Sequence, residues 1–360
     1  MKRSNYLKAA LLGASVGATA IALSLGTATA GEFDGVTLRV GTWGGSWKKV
    51  QEDYIVPQLV AKGMKIEFVT SSPHDNLAKL VAARGRDVPI DVMEVGEALV
   101  PAIDEGKFAA KIDHSLVPNK ANMPASLFDE NMFITLTSQS GICFEKQKFA
   151  DNGIPVPQTF QDLTHPKLTR KVAFPDITSG AGLNSVAMLA YAAGGDVTNI
   201  TPGLELIKQI DPFTYWKRGS ANVTHMETGD IYAAIVHAGW CVRMKKAGLN
   251  VSMAHPKIND DHTGSASITL MIVVSGTKVA KAATAYLNEY ISEEYQFQLA
   301  KKTGIVPVNK HAIARMQKEP LLQEMMILDR EKMDRMLTFD FSKIDVSAWT
   351  DEWSRTVATN

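Results

Sequence analysis

The sequence predicts an α/β fold in which one unit of mainly parallel sheet and flanking helices interrupts another. Three observations lead there. Strand-like alternation, a turn and a helical stretch recur three times between residues 36 and 105. That rhythm breaks near Phe133, and a second strand–loop–helix series begins at Val172. Two later strand-like runs, 251–255 and 266–274, then lead back toward the first unit. Repeated strand–turn–helix spacing favours parallel strands joined by right-handed crossovers.

The first thirty residues read as an export signal. Lys2, Arg3 and Lys8 make a basic start, 9–25 is apolar and rich in small residues, and Ala28-Thr29-Ala30 gives a small-x-small cleavage pattern before Gly31. The segment Lys2-Arg3-Ser4-Asn5-Tyr6-Leu7-Lys8 is similar to a twin-arginine signal with Lys in place of one Arg, which leaves the export route open. No Cys follows the cut, which argues against a lipid anchor. No later stretch has eighteen consecutive apolar residues, so the remainder is expected to be soluble. At 360 residues, with 45% hydrophobic and 21% charged, the chain suits two domains better than one. Its formal net charge is zero; without the three basic residues of the leader it is 35 basic against 38 acidic, or −3. That balance points away from nucleic acid and anionic membrane surfaces.

In the first unit, strands are expected at 36–40, 64–69 and 90–95, with helices at 48–59, 76–84 and 98–105. The carboxyl ends of such strands form the ligand edge of an open sheet. The runs 133–137 and 141–144 flank a polar Ser138-Gln139-Ser140. In the second unit, strands are expected at 172–174 and 231–236 and a helix at 183–193; a long helix over 279–303 then follows the return. The boundaries are therefore 31–137 with 266–360 for the first unit and 138–265 for the second, with crossings near 136–141 and 250–266.

Gly41-Thr42-Trp43-Gly44-Gly45-Ser46 lies between a strand and a helix. Glycines there let backbone approach a ligand, and free amides at a helix start favour an anion or carbonyl oxygen. Trp43 offers a flat apolar face. The same segment also fits a tight turn with its Trp in the core. Thr178-Ser179-Gly180-Ala181-Gly182 repeats the arrangement in the second unit, so Ser179 and Gly180 are expected to face the first loop across a cleft. Ser71 and Ser72 precede a helix as ligand hydroxyls or as caps. His237 and Trp240 follow a strand end, and Glu94 and Glu97 sit where the third strand gives way to its helix. Each is a candidate for the cleft, and each also fits a structural or solvated role.

Catalytic patterns are sparse. Ser46-Trp47-Lys48-Lys49 matches S-x-x-K without partner motifs, and after the leader G-x-S-x-G, H-E-x-x-H and P-loop patterns are missing. No enzyme is expected, and no cofactor or metal; Asn259-Asp260-Asp261-His262 reads better as a solvated loop than as a metal site. Cys143 and Cys241 are the only cysteines, and in an oxidising compartment they pair or remain as buried thiols.

Leu38-Arg39-Val40-Gly41-Thr42-Trp43-Gly44-Gly45, Ile90-Asp91-Val92-Met93, Met226 to Ala234 and Lys302 to Asn309 resemble, in order and spacing, the periplasmic binding proteins of the spermidine/putrescine type. That family shares a larger class with ferric-ion and thiamine binders. The resemblance runs from about Thr37 to His311. It implies a type II two-lobed fold joined by crossing strands, a monomer that closes on a small-molecule solute and docks on an inner-membrane ABC permease, and no catalysis. It implies that Trp43 stacks on the ligand and that the loop with Glu94 and Glu97 touches it. His237 falls where polyamine binders tend to have Trp, Thr269 where they place an acid, and Ser179-Gly180 where others have acids. No two tyrosines are adjacent, unlike the ferric binders. A carboxylate, phosphonate or zwitterion suits these departures better than a polyamine. Sensing rather than import stays open.

Overall fold

The computed structural model describes residues 31–83 and 86–357. The expected export signal and its cleavage site lie outside the described residues. Among the described residues no helix is long and apolar enough to cross a membrane.

Among the described residues ten strands form one mixed sheet. In chain order they are β1 (Thr37–Thr42), β2 (Lys65–Thr70), β3 (Val92–Gly96), β4 (Met132–Glu145), β5 (Val172–Pro175), β6 (Thr214–Trp216), β7 (Ala233–His237), β8 (Val251–Ala254), β9 (Ser265–Val273) and β10 (Val306–Pro307). The order across the sheet is β2-β1-β3-β9-β4-β7-β5-β6, with β8 and β10 both on β4. β1 pairs in parallel with β2 and β3. At the other end β5 pairs in parallel with β6 and β7. β9 and β4 run antiparallel between these two parallel groups.

The inner strands β3, β5 and β7 are buried on both faces, which is why they read as near-continuous apolar runs. At the start of β3 the buried Asp91 carboxylate accepts from the Arg39 backbone N–H, from both Arg39 Nε and Nη2 at 2.9 and 2.8 Å, and from Thr277 Oγ1 at 2.8 Å. Four donors offset the desolvation of that charge and fix β3 beside β1.

Three segments differ from their expected form. Ser138-Gln139-Ser140 is not a break: β4 runs through it for fourteen residues. The buried Gln139 amide exchanges two hydrogen bonds with the Ile327 backbone, at 2.7 and 2.9 Å, so the polar side chain is satisfied inside. The expected helix over 279–303 is two, Ala280–Tyr290 and Glu293–Thr303. The carbonyls freed at the break are capped from afar, Tyr290 O by Gln296 Nε2 at 3.2 Å and Ile291 O by Asn309 Nδ2 at 3.0 Å. The helix expected over 48–59 likewise divides, into Gly45–Tyr54 and Val56–Val60, with Pro57 in the first turn of the second.

The chain end also departs from the expected boundary, which returned 266–360 to the first unit. Leu337, Phe339, Trp349, Trp353 and Val357 pack instead into a core with Phe144, Phe174 and Leu204. Trp353 lies against the Phe174 ring at 6.0 Å and the Tyr215 ring at 5.3 Å. The helix Val346–Thr356 carries these tryptophans on one face, so the apolar stripe chooses its partner by fit rather than by chain order.

Candidate ligand-binding site

A cavity of about 730 Å³ opens at the carboxyl ends of the strands, drawing on both parallel groups. β1 delivers Trp43 to Trp47, β2 leads to Ser72 and His74, and β3 delivers Gly96 to Leu99. From the other group, β5 leads to Ser179, Gly180 and Asn184, β6 ends in Trp216 and Lys217, and β7 ends in His237. Ser138 of β4 and Ser267 to Thr269 of β9 floor it. This is where helix starts place free amides in an open α/β sheet.

Several glycines are fixed by this geometry. Gly45 sits at φ +62°, in the left-handed region, at the start of its helix. A Cβ on Gly219 would lie 2.3 Å from the Trp240 ring, so glycine there lets that indole close against the wall.

Four of the six tryptophans, Trp43, Trp47, Trp216 and Trp240, line the cavity. Trp43 and Trp47 meet edge to face with centroids 5.1 Å apart. The Arg243 guanidinium lies 4.4 Å over the Trp240 ring, and partial burial lowers its pKa. Among the described residues Arg243 and Lys217 form no ion pair. On the facing wall Glu97 is the carboxylate that lines the cavity. It accepts from Ile268 N at 3.0 Å, and burial pushes its pKa up to about 8. His237 shares a hydrogen bond with Ser140 Oγ at 2.8 Å, and burial lowers its pKa to about 4, so the ring is neutral at pH 7. Two buried polar atoms of the wall, Asn184 Oδ1 and Trp216 Nε1, have no hydrogen-bond partner in the described protein.

Of the residues singled out in the sequence, Trp43, Gly44, Gly45, Ser46, Ser72, Glu97, Ser179, Gly180, His237, Trp240 and Thr269 all line this one cavity. Thr42, Ser71 and Glu94 do not. Thr42, the last residue of β1, and Glu94, in the middle of β3, are buried beneath the wall, where Thr42 Oγ1 donates to Glu94 Oε1 at 3.2 Å. Ser71 turns outward to Asp75, at 3.0 Å. Trp47, Trp216, Lys217 and Arg243 escaped notice in the sequence. Arg243 had a signal: it stands three residues after Trp240, one turn along the same helix face.

Cys143 of β4 and Cys241 of the helix Ala238–Lys246 form a disulfide, with Cα atoms 5.6 Å apart. It pins to the sheet the helix that carries Trp240 and Arg243. Asn259 caps its own loop, accepting from Asp261 N and His262 N at 3.0 and 2.8 Å.

The profile of a family described as bacterial extracellular solute-binding protein matches residues 59–324. No curated protein matches the sequence. Among solved structures, an ABC transporter protein from Clostridium perfringens ATCC 13124 superposes with a TM-score of 0.72 at 22% identity, covering 89% of this chain and 99% of its own. The periplasmic binding protein MotA from A. tumefaciens B6, in complex with glucopine, gives 0.69 at 17% identity, covering 89% and 99%. A spermidine/putrescine ABC transporter protein from Listeria monocytogenes gives 0.68 at 16%, covering 88% and 97%. All three share the α/β fold with a mixed sheet flanked by helices.

Proposed function

The chain belongs to the bacterial extracellular solute-binding proteins, and we propose that it serves an ABC importer by capturing a small zwitterionic solute in the periplasm. In this reading residues 1–30 direct export and are removed. Two lobes, meeting where β4 and β9 cross between the parallel groups, close on the ligand and present it to an inner-membrane permease. A ligand that bridges both walls favours closure by its higher affinity for the closed form.

One observation carries the choice of ligand: a carboxyl that an ammonium can ionise stands on one wall, and two cationic side chains stand on the other. Glu97 follows β3, whereas Arg243 and Lys217 follow β7 and β6. A carboxylate, or a phosphonate in its place, meets the Arg243 fork, and an ammonium meets Glu97. The tryptophans hold the stem between them. Asn184 Oδ1 and Trp216 Nε1 then find their partners on the ligand. The family is one of binding proteins, so the site is read for recognition and not for catalysis.

The second reading is a polyamine, favoured by the fold shared with the spermidine/putrescine protein. A diamine needs a carboxylate at each end, and Glu97 is the acid in the cavity wall while two cations share it. A thermal-shift panel separates the two readings: amino acids, simple carboxylates, phosphonates, glucopine, putrescine and spermidine. At a hundred times its Kd a true ligand adds about 2.7 kcal/mol. A shift with amino acids and none with polyamines supports the zwitterion; polyamines alone would reject it.

A further inference from the structure

Beneath the tryptophan wall lies a buried polar cluster that ligand recognition does not use. Glu94, at 1% exposure, directs Oε1 at three donors: Trp47 Nε1 at 3.0 Å, Gln51 Nε2 at 3.0 Å and Thr42 Oγ1 at 3.2 Å. Gln51 also donates to Thr42 Oγ1 at 2.7 Å, and its Oε1 accepts from Tyr286 OH. The other carboxyl oxygen, Oε2, is buried without a partner, and so are the hydroxyls of Tyr290 and Tyr295. Their rings meet at a tilt of 52°, with centroids 4.7 Å apart, where the two helices of 280–303 break apart. The titratable groups that face Glu94 from the packed helices are the phenols of Tyr286, Tyr290 and Tyr295, all pushed well above their ordinary range by burial.

We infer that Glu94 is a positioning residue for the cavity's aromatic wall, holding Trp47 by its indole N–H and, through it, Trp43. The chain of contacts is direct. The Trp47 ring lines the cavity on one side and bonds Glu94 on the other, and Trp43 packs edge-on against it. No charged side chain appears among the cluster's hydrogen-bond partners, so the state of the carboxyl is felt by its neutral donors. When Glu94 is neutral its Oε1 is an ordinary carbonyl acceptor and Oε2 carries a proton that a tyrosine oxygen can accept. When it ionises, the bond from Trp47 becomes charge-assisted and tightens, and the Tyr290 phenol turns to donate. Burial pushes the Glu94 pKa up to about 7, which places the change in a range easily reached. The wall's geometry therefore varies with pH even without ligand. The functional weight of this device rests on the cavity being the solute site, but its test needs no solute.

The experiment is tryptophan emission of the purified, ligand-free protein from pH 5 to 9, in a Glu97→Gln background that removes the carboxyl lining the cavity. A sigmoidal change with midpoint near 7 is expected. It should vanish in Glu94→Gln and equally in Trp47→Phe, each shown by its thermal melt to be folded. If Glu94→Gln does not fold, Trp47→Phe decides alone, since it keeps the carboxyl and removes only the reporter and its donor. A flat profile in the Glu97→Gln protein, or a transition that survives either substitution, overturns the inference. Neither result bears on whether a zwitterion binds, which the thermal-shift panel decides separately.

Discussion

Replacing Arg243 with Met should separate the site from the scaffold. The guanidinium is half-buried, rests on the Trp240 ring at 4.4 Å and forms no ion pair among the described residues. A charge-assisted hydrogen bond to a ligand carboxylate is worth about 1.5–3 kcal/mol, so its loss lowers affinity about 10- to 150-fold. Met keeps the aliphatic stem against the indole. The stacking lost is worth about 0.5–1 kcal/mol, while removal of a desolvated, unpaired charge acts in the opposite direction. The melting temperature of the empty protein should therefore stay within a few degrees while affinity collapses. Arg243→Lys keeps a charge without the planar fork and should fall between the two. Calorimetry with the best ligand from the panel gives the affinities, and scanning calorimetry gives the melts. Unchanged affinity in Arg243→Met would refute the anchoring role; a large drop in the empty protein's melting temperature would show that the side chain serves the fold.

Glu97 sets a pH dependence with a definite sign. Its pKa of about 8 means the empty site holds a proton that an ammonium ligand must expel, so affinity should rise about fifty-fold from pH 6 to pH 8. Glu97→Gln should flatten that rise, and a rise that persists in the variant assigns it elsewhere. The raised pKa values of Glu94 and Glu97 also make the ligand-free fold lose stability as pH climbs from the ordinary carboxylate range toward 7 and 8, because the unfolded chain releases those protons first. Trp43→Ala should weaken binding by more than about 1 kcal/mol if the ring stacks on the solute, and equal affinity in calorimetry removes it from the site. The Cys143–Cys241 bridge closes a loop with a sequence separation of 98, so reduction should cost about 2–4 kcal/mol of stability. Thiol labelling of denatured, unreduced protein should find no free thiol, and two labelled cysteines would contradict the bridge.

The strand-and-helix rhythm was legible because the inner parallel strands are buried on both faces, the edge strand β2 alternates, and small-residue turns punctuate them. Trp43, Ser179, His237 and Trp240 could be placed at one edge because strand ends in such a sheet converge there. Glu94 could not be told from Glu97: the strand end could not be fixed from the sequence, and Glu94 proves to lie inside β3 under the wall while Glu97 follows the strand and lines the cavity. The polar Ser138-Gln139-Ser140 divided two strand-like runs in the sequence because the Ile327 backbone that satisfies Gln139 lies 188 residues away. The break at Ile291 was hidden for the same reason. No Gly or Pro marks it, and its caps, Gln296 and Asn309, act through tertiary contact.

The central claim is that one solute presents an acid to Arg243 and an amine to Glu97 across the cleft. A crystal structure with the strongest ligand of the panel tests it directly. The expected result is a carboxylate or phosphonate within hydrogen-bond distance of the Arg243 guanidinium, an ammonium on Glu97, and the stem among Trp43, Trp47 and Trp240. A ligand bound without contact to Arg243, or with its amine on the Arg243 wall, would contradict it.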